Sequence, residues 1–230
     1  MALAYLMGSP AQSHATRVDP QPAFSRSDLT SRDLARDRSN REAPIHTLLS
    51  LSCLALGNRL AVEFDAYWKS VELAGQQFKP EIERFADFLK RRVENGTLRI
   101  HWLPELLDFE LARNELRFLS RRRLMAEVAR RAPVNGSTAL ALNPLVRIAR
   151  FPCDATALFN ALSRGGSAPR AVSKQQTYVL LSVLQKATPE VVPTDPVLGK
   201  LLWALRCVGT FCGGDEQRAA LVDMGVLVSA

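Results

Sequence analysis

The sequence predicts an α+β fold, in which an N-terminal helical bundle is followed by a small winged-helix-like module. Apolar residues recur at helical spacing from residue 44 to about residue 132. The stretches "TALALNPLVRIARFP" and "QQTYVLLSVLQ" then have the composition and alternation of β-strands, and two short helical patterns and an apolar end follow them. We therefore expect three parts: a polar arm at 1–43, a helical domain at 44–132 and the winged-helix-like module at 137–230.

The arm is rich in Ser, Arg, Asp and Pro, and its few apolar residues are scattered. Such a segment buries too little apolar surface to offset the entropy that it loses on ordering. We expect a mobile arm with a short helix at about residues 29–38, or a segment that lies extended across a partner.

The helical domain is predicted to begin after Pro44 and to contain two well-marked amphipathic helices. In "PEIERFADFLKRRVENG", apolar residues recur at helical spacing and Asn95-Gly96 is a stop signal. In "WLPELLDFELARNELRFLSRRRLMAEVARR", glutamates are balanced by arginines, as on a solvated helix face. The densest basic cluster, residues 121–123, is therefore either such a face or a binding patch.

The module begins with one strand or two short strands around Asn143-Pro144, followed by a helix that Asp154 is suited to cap. "QQTYVLLSVLQ" is the strongest strand pattern, and "PEVVPTD" is a short extended piece. Next come the helix "PVLGKLLWALRCVG", with Pro196 in its first turn and Gly209 at its end, and the helix "DEQRAALVDMG". "VLVSA" is predicted to be a terminal strand.

The composition places the chain among ordinary globular proteins. Of its 230 residues, 47% are hydrophobic and 23% are charged. A chain of this size and composition can form a hydrophobic core without stabilising disulfides or metal ions. The four cysteines form no CxxC pair, no signal peptide is recognisable, and no apolar run reaches the roughly 18 residues of a membrane span. We expect a cytoplasmic protein with reduced, buried cysteines. The net charge of +7 is compatible with nucleic acid, an anionic membrane or an acidic protein partner.

Catalytic motifs are absent from the sequence. It has no phosphate-binding glycine loop and no GxSxG elbow. Its histidines, His14, His46 and His101, are scattered and form no metal-binding spacing. We therefore expect neither a catalytic site nor a bound metal in this chain.

Two stretches carry a family resemblance. In "RFADFLKRR" and "HWLPELLDFELARNEL", an F-x-x-F-L element precedes an LP-x-L-x-x-x-E helix, at Phe85, Phe88, Leu89, Leu103, Pro104, Leu106 and Glu110. In "LALNPLVRIARFPCDATALFNAL", the matching positions are Asn143, Pro144, Leu145, Val146, Arg147, Phe151, Pro152, Asp154, Ala155 and Leu158. Over residues 80–210 the chain thus resembles a bacterial family encoded beside multinuclear non-heme iron oxidative enzymes. Its known types include the partner proteins in methanobactin and 3-thiaglutamate biosynthesis.

The resemblance implies a non-catalytic partner that binds a precursor or carrier peptide. It would present this peptide to an iron-dependent oxidative enzyme that modifies a peptide cysteine, as a heterodimer with the iron held by the enzyme. A peptide of this kind can add a strand to a sheet edge beside a helix. The candidate peptide-binding residues are Tyr178, Val179, Leu181, Val183, Val191, Val192, Ala219 and Val222. The candidate partner-binding residues are Arg113, Arg117, Arg121 and Arg122, and the basic surface favours acidic peptides.

Two other functions remain open. A winged helix with this net charge is also a reasonable DNA-binding regulator. Against that reading, the last helix "DEQRAALVDMG" has one Arg, three acidic residues and no Lys, whereas a helix in the major groove normally presents basic or amide side chains. The other alternative is an enzyme whose catalytic residues follow no recognisable motif.

Overall fold

The computed structural model describes residues 31–70, 78–119, 126, 140–165, 176–184, 188–209 and 211–229. The chain divides into two units, residues 1–38 and residues 39–230. Of the first unit, only the start of a helix at residues 31–38 is described, so most of the predicted arm lies outside the described residues. The sheets and the core belong to the second unit.

The N-terminal half is helical, as its apolar periodicity predicts. Its helices are α1 (Ser31–Leu48), α2 (Ser50–Leu56), α3 (Leu60–Ser70), α4 (Phe78–Glu94) and α5 (Leu103–Phe118). A short 3-10 turn, Gly57–Arg59, joins α2 to α3. Helix α4 buries Ile82, Phe85 and Leu89 on one face, which is why it forms against its neighbours rather than alone.

The C-terminal half is mixed, so the described part of the chain is an α+β fold. Its strands are β1 (Leu140–Leu142), β2 (Val146–Phe151), β3 (Thr177–Ser182), β4 (Glu190–Thr194) and β5 (Leu227–Ser229). Its helices are α6 (Ala155–Ser163), α7 (Pro196–Val208) and α8 (Asp215–Asp223). All pairings are antiparallel: β1 pairs with β5, and β2, β3 and β4 form a sheet in that order.

The three-stranded sheet is covered on both faces. On one face, Phe151 of β2 meets Phe109 of α5 edge to face, with ring centroids 5.8 Å apart, and Val179 of β3 joins the same core. On the other face, Tyr178 of β3 packs beneath α7 with Leu202. Alternate residues of β3 therefore serve two apolar layers, because side chains along a strand point to opposite faces.

One hydrophobic core joins the predicted helical domain to the predicted module. Phe85 and Leu106 from the helical half share it with Phe151, Leu158 and Leu181 from the module. Within residues 39–230, the two halves are therefore packed as a single unit.

Helix α1 crosses the predicted boundary at residue 43 and contains Pro44 in its interior. A proline there removes a helical hydrogen bond, so we expected the helix to begin after it. The turn before Pro44 is held instead by tertiary contacts: Arg41 pairs with Glu81 at 2.6 Å, and Trp68 Nε1 donates to Glu42 at 2.8 Å. Ile45 is fully buried just after the proline, so packing on both sides outweighs the lost bond.

Among the described helices, none is by itself long and apolar enough to cross a membrane. The segments Arg38–Leu48 and Ser50–Ser70 have the required length and composition only when they are taken together, and the chain bends by 102° between them.

Candidate peptide-binding surface

Strand β4 is an edge of the three-stranded sheet and pairs with β3 alone among the described residues. Val191 and Val192 on this strand are 38% and 44% exposed. Val191 lies opposite Leu181 and Val192 opposite Leu180, so the two valines point to opposite faces of the sheet. A peptide beside β4 could contact both, one on each face.

Pro193 determines which backbone groups of β4 point outward. Proline has no N–H, so it fits a paired strand only where that N–H would face away from the neighbouring strand. Outward and inward positions alternate along an antiparallel strand, so Val191 shares the outward orientation of Pro193, and Val192 faces β3. The open edge therefore offers the N–H and C=O of Val191 and the C=O of Pro193.

The candidate residues on β3 are core residues, which corrects their assignment to a sheet edge. Strand β3 lies between β2 and β4, so both of its edges are hydrogen-bonded. Tyr178, Val179 and Leu181 are less than 5% exposed, and so is Val183, which directly follows the strand. Their strand pattern was recognised correctly, but apolar alternation cannot tell a central strand from an edge strand.

The candidate residues on α8 are exposed but lie apart from β4. Ala219 and Val222 are neighbours on one helix face, three residues apart, and Val222 is 44% exposed. The helix packs against β5 through the buried Leu221, and β5 belongs to the two-stranded sheet. The two halves of the predicted peptide site are thus attached to different sheets.

The candidate partner-binding arginines are described only in part. Arg113 is half-buried and Arg117 is exposed, and they are neighbours on α5 at a spacing of four residues. The charge of Arg113 also acts on the buried Glu110. Arg121 and Arg122 lie outside the described residues.

Glu110 of the resemblance motif has a structural role in this fold. It is 1% exposed, and its carboxylate accepts hydrogen bonds from the backbone N–H groups of Leu51 and Ser52 at 2.7 and 2.9 Å and from the Ser52 hydroxyl at 2.6 Å. Helix α2 has no side-chain cap of its own, so a carboxylate from α5 caps it across the core. Burial raises the pKa of Glu110, which the three hydrogen bonds partly offset.

Two further buried carboxylates are paired within the helical half. Glu63 is fully buried and accepts from Arg92 Nε at 3.0 Å, while Glu81 pairs with Arg41 at 2.6 Å. Glu81 also accepts a hydrogen bond from the Tyr67 hydroxyl. Burial, followed by this hydrogen bond, raises the pKa of Tyr67 well above its usual range. The polar atoms of these buried carboxylates have hydrogen-bonding partners within the helical half. We therefore assign them a role in helix packing and not in substrate binding.

An open cleft of about 500 Å³ lies between α2, α3 and the end of α6. Its lining includes His46, Ser50, Cys53, Leu54 and Leu162. Burial, with a smaller contribution from Glu110, raises the pKa of the Cys53 thiol to about 12. The thiol is therefore protonated at neutral pH and is not an activated nucleophile.

Arg150 of β2, Trp203 of α7 and Arg206 of α7 form a basic aromatic cluster, here called the Arg–Trp cluster. The sequence did not predict it. The guanidinium carbons of Arg150 and Arg206 lie 5.0 and 5.2 Å from the centroid of the Trp203 ring. The three residues span more than 50 positions of sequence, so no local motif marks them. The one sequence feature that marks this site is the charged Arg150 in an otherwise apolar strand, at a position that faces the same side as the buried residues beneath α7.

The charge of Arg150 acts on Glu105 of α5, whose Oε2 is buried and has no hydrogen-bond partner among the described residues. Burial raises the pKa of Glu105, the neighbouring Asp108 raises it further, and the backbone of Glu105 and the charge of Arg150 lower it.

Within the described parts of the chain, no group of three or more His, Cys, Asp or Glu residues could hold a metal ion. Cys53 and Cys153 are buried as expected, whereas Cys207 and Cys212 are exposed, contrary to expectation. Neither protein-family models nor curated proteins give a match to the chain.

Proposed function

We propose that this chain is a non-catalytic partner protein that binds a precursor or carrier peptide. It presents that peptide to an iron-dependent oxidative enzyme, and the iron belongs to the enzyme. The observation that carries the proposal is the edge strand β4, whose Val191 and Val192 are exposed. An extended peptide can add a strand to such an edge, with backbone hydrogen bonds for affinity and side-chain contacts for specificity.

Pro193 limits how much of the affinity can come from the backbone. The edge offers one N–H donor, that of Val191, so strand addition at β4 is short. Specificity then depends on the exposed valines on the two faces of the strand and on flanking surfaces. A proline in an edge strand also discourages edge-to-edge pairing between copies of the chain.

We further propose that residues 137–230 act as a winged-helix-like recognition module. In support, a three-stranded antiparallel sheet is followed by the two short helices α7 and α8. A peptide is favoured over DNA as the ligand because α8 exposes Asp215, Glu216 and Asp223 against a single Arg218. Three carboxylates on a would-be recognition helix repel backbone phosphates.

The contact with the enzyme is proposed to lie on the basic part of the chain that begins with Arg113 and Arg117 on α5 and continues to Arg121 and Arg122. Exposed ion pairs of this kind contribute about 0–1 kcal/mol each, so they would guide association more than hold the complex.

Co-purification tests the partnership. The tagged chain is expressed together with the products of its neighbouring genes, among which the proposal expects an iron oxidative enzyme. Any complex is then analysed by size exclusion and for iron. We expect a stoichiometric heterodimer in which iron follows the enzyme subunit when the two are separated. A chain that elutes alone from the co-expressed mixture would refute the partnership, and one that carries nucleic acid would favour the DNA-binding alternative.

Strand addition is tested at a single position of β4. Val191→Pro removes the outward N–H, whereas Val191→Ala removes most of the side chain and keeps that N–H. Binding of a fluorescein-labelled precursor or carrier peptide is followed by polarisation, and thermal melting checks the fold of both variants. The proline variant loses one backbone hydrogen bond to the peptide, which is worth about 0.5–1.5 kcal/mol. It should therefore bind the peptide about three- to tenfold more weakly than the alanine variant does. Equal affinities of the two variants would rule out strand addition at β4.

A further inference from the structure

The Arg–Trp cluster is held in place from two elements. Arg150 lies on the same face of β2 as the buried Ile148, because the two are two residues apart. Arg206 donates Nη1 to the backbone carbonyl of Ile148 at 2.6 Å, which ties the end of α7 to β2. Trp203 lies between these anchors, half-buried against the apolar layer beneath α7. The indole ring is thus a fixed platform, and both arginines that lie against it are exposed.

Neither guanidinium of the cluster is neutralised by a carboxylate within 4.0 Å in the part of the chain that the structure describes. By contrast, Arg92 and Arg147 pair with Glu63 and Glu115 at 3.0 Å. Two like charges held beside one ring repel each other, and an anion bound near them would relieve that repulsion. Planar guanidinium groups also bind carboxylates through two parallel N–H donors, which gives the site a geometric preference.

The cluster and the β4 edge lie along one row of the sheet. Arg150 is opposite Tyr178, and Tyr178 is opposite Thr194 of β4. Two strand spacings separate the ends of this row, and a peptide beside β4 lies one spacing farther, so about 14 Å separates it from β2. Because an extended residue spans about 3.3–3.6 Å, a segment of about five residues that flanks a peptide at β4 could reach the cluster.

We infer that the Arg–Trp cluster binds carboxylate side chains of an acidic segment in the bound peptide. The inference deepens the proposed function and rests on it. The acidic side chains supply the anion, and the Trp203 ring supplies an apolar surface for their methylene groups.

Binding of a fluorescein-labelled octaglutamate peptide to the full chain tests the inference. Arg150→Gln should weaken peptide binding about fivefold at low salt. Arg150→Lys keeps the charge but loses the paired N–H donors of the guanidinium, so its affinity should lie between those of the wild type and Arg150→Gln. Arg99→Gln is the matched control, because Arg99 is an exposed arginine in the helical half. It removes the same charge and should change the affinity less than twofold. Trp68 and Trp102 are buried, so a fluorescence change on binding that Trp203→Phe abolishes would assign the peptide to the cluster.

Three results would overturn the inference. One is an equal loss of affinity in Arg150→Gln and Arg99→Gln, which would mean that net charge alone attracts the peptide. Another is competition by free glutamate or inorganic phosphate at the same concentration as the peptide, which would mean that any small anion fills the site. The third is tighter, Arg150-dependent binding of a single-stranded oligonucleotide. None of these results affects the co-purification of the chain with its enzyme, so the two proposals can fail separately.

Discussion

Gly199 lies where α7 packs closely against Tyr178 of β3, and we predict that Gly199→Ala destabilises the fold. A Cβ atom added at this position would lie 2.4 Å from both Cβ and Cγ of Tyr178 and 2.6 Å from its Cδ2. Carbon atoms in contact are normally about 3.5–4.0 Å apart, so the helix and the strand would have to separate by about 1 Å. The clashing atoms are at the base of the Tyr178 side chain, so a change of rotamer does not remove the conflict.

The magnitude follows from two opposing effects. Overpacking of a core costs about 1–3 kcal/mol, and the short distances at Gly199 place this substitution at the upper end of that range. Replacing glycine by alanine inside a helix returns about 1 kcal/mol. The net loss in the free energy of unfolding is therefore about 2 kcal/mol. For a chain of this size, the melting temperature should fall by about 4–8 °C.

Urea unfolding and thermal melting of Gly199→Ala, compared with the neighbouring Lys200→Ala, would measure this loss. Lys200 is exposed on the same helix, so its substitution should stay within about 0.5 kcal/mol of wild type. In a Tyr178→Ala background, the cost of Gly199→Ala should shrink, because two of the three clashing atoms are gone. A Gly199→Ala protein that melts at or above the wild-type temperature would refute the close approach of α7 to β3.

Two further predictions concern buried carboxylates. Glu110→Gln should lower the free energy of unfolding by about 2–3 kcal/mol in urea titrations, because the amide nitrogen leaves one buried backbone N–H of α2 unsatisfied. Ser52→Ala removes one hydrogen bond and should cost about 1 kcal/mol, and equal costs of the two variants would contradict the cap. The pKa of Glu105 is raised above 4.5 in the folded protein, so its contribution to stability is complete below pH 4.5 and is lost as the pH rises through the folded pKa. Urea titrations at pH 4 and pH 7 should therefore show that Glu105→Gln is more stable relative to wild type at pH 7 than at pH 4. If the difference in the free energy of unfolding between variant and wild type is the same at both pH values, the pKa of Glu105 is not raised by folding.

Local signals in the sequence predicted many element ends correctly. Asp154 caps α6, and its carboxylate accepts from the backbone N–H of Ala157 at 3.0 Å. Gly209 ends α7 in the left-handed conformation, with φ of 77°, which glycine adopts at little cost. The short strands β1 and β2 flank Asn143-Pro144 as predicted. These features depend on residues within a few positions of one another, so the sequence carries their full cause.

The sequence by itself determined the α+β class, the amphipathic helices and the strand segments. The exposure of the valines on the edge strand β4 was decided by the tertiary structure. Only the tertiary structure decided that β3 is central, that α1 continues through Pro44, and that Glu110 caps a helix. It also brought together the Arg–Trp cluster. Glu110 and Ser52 are 58 residues apart, as are Arg206 and Ile148. Contacts over such separations depend on how whole elements pack, because a side chain's partner is set by the surface that it meets and not by its neighbours along the chain.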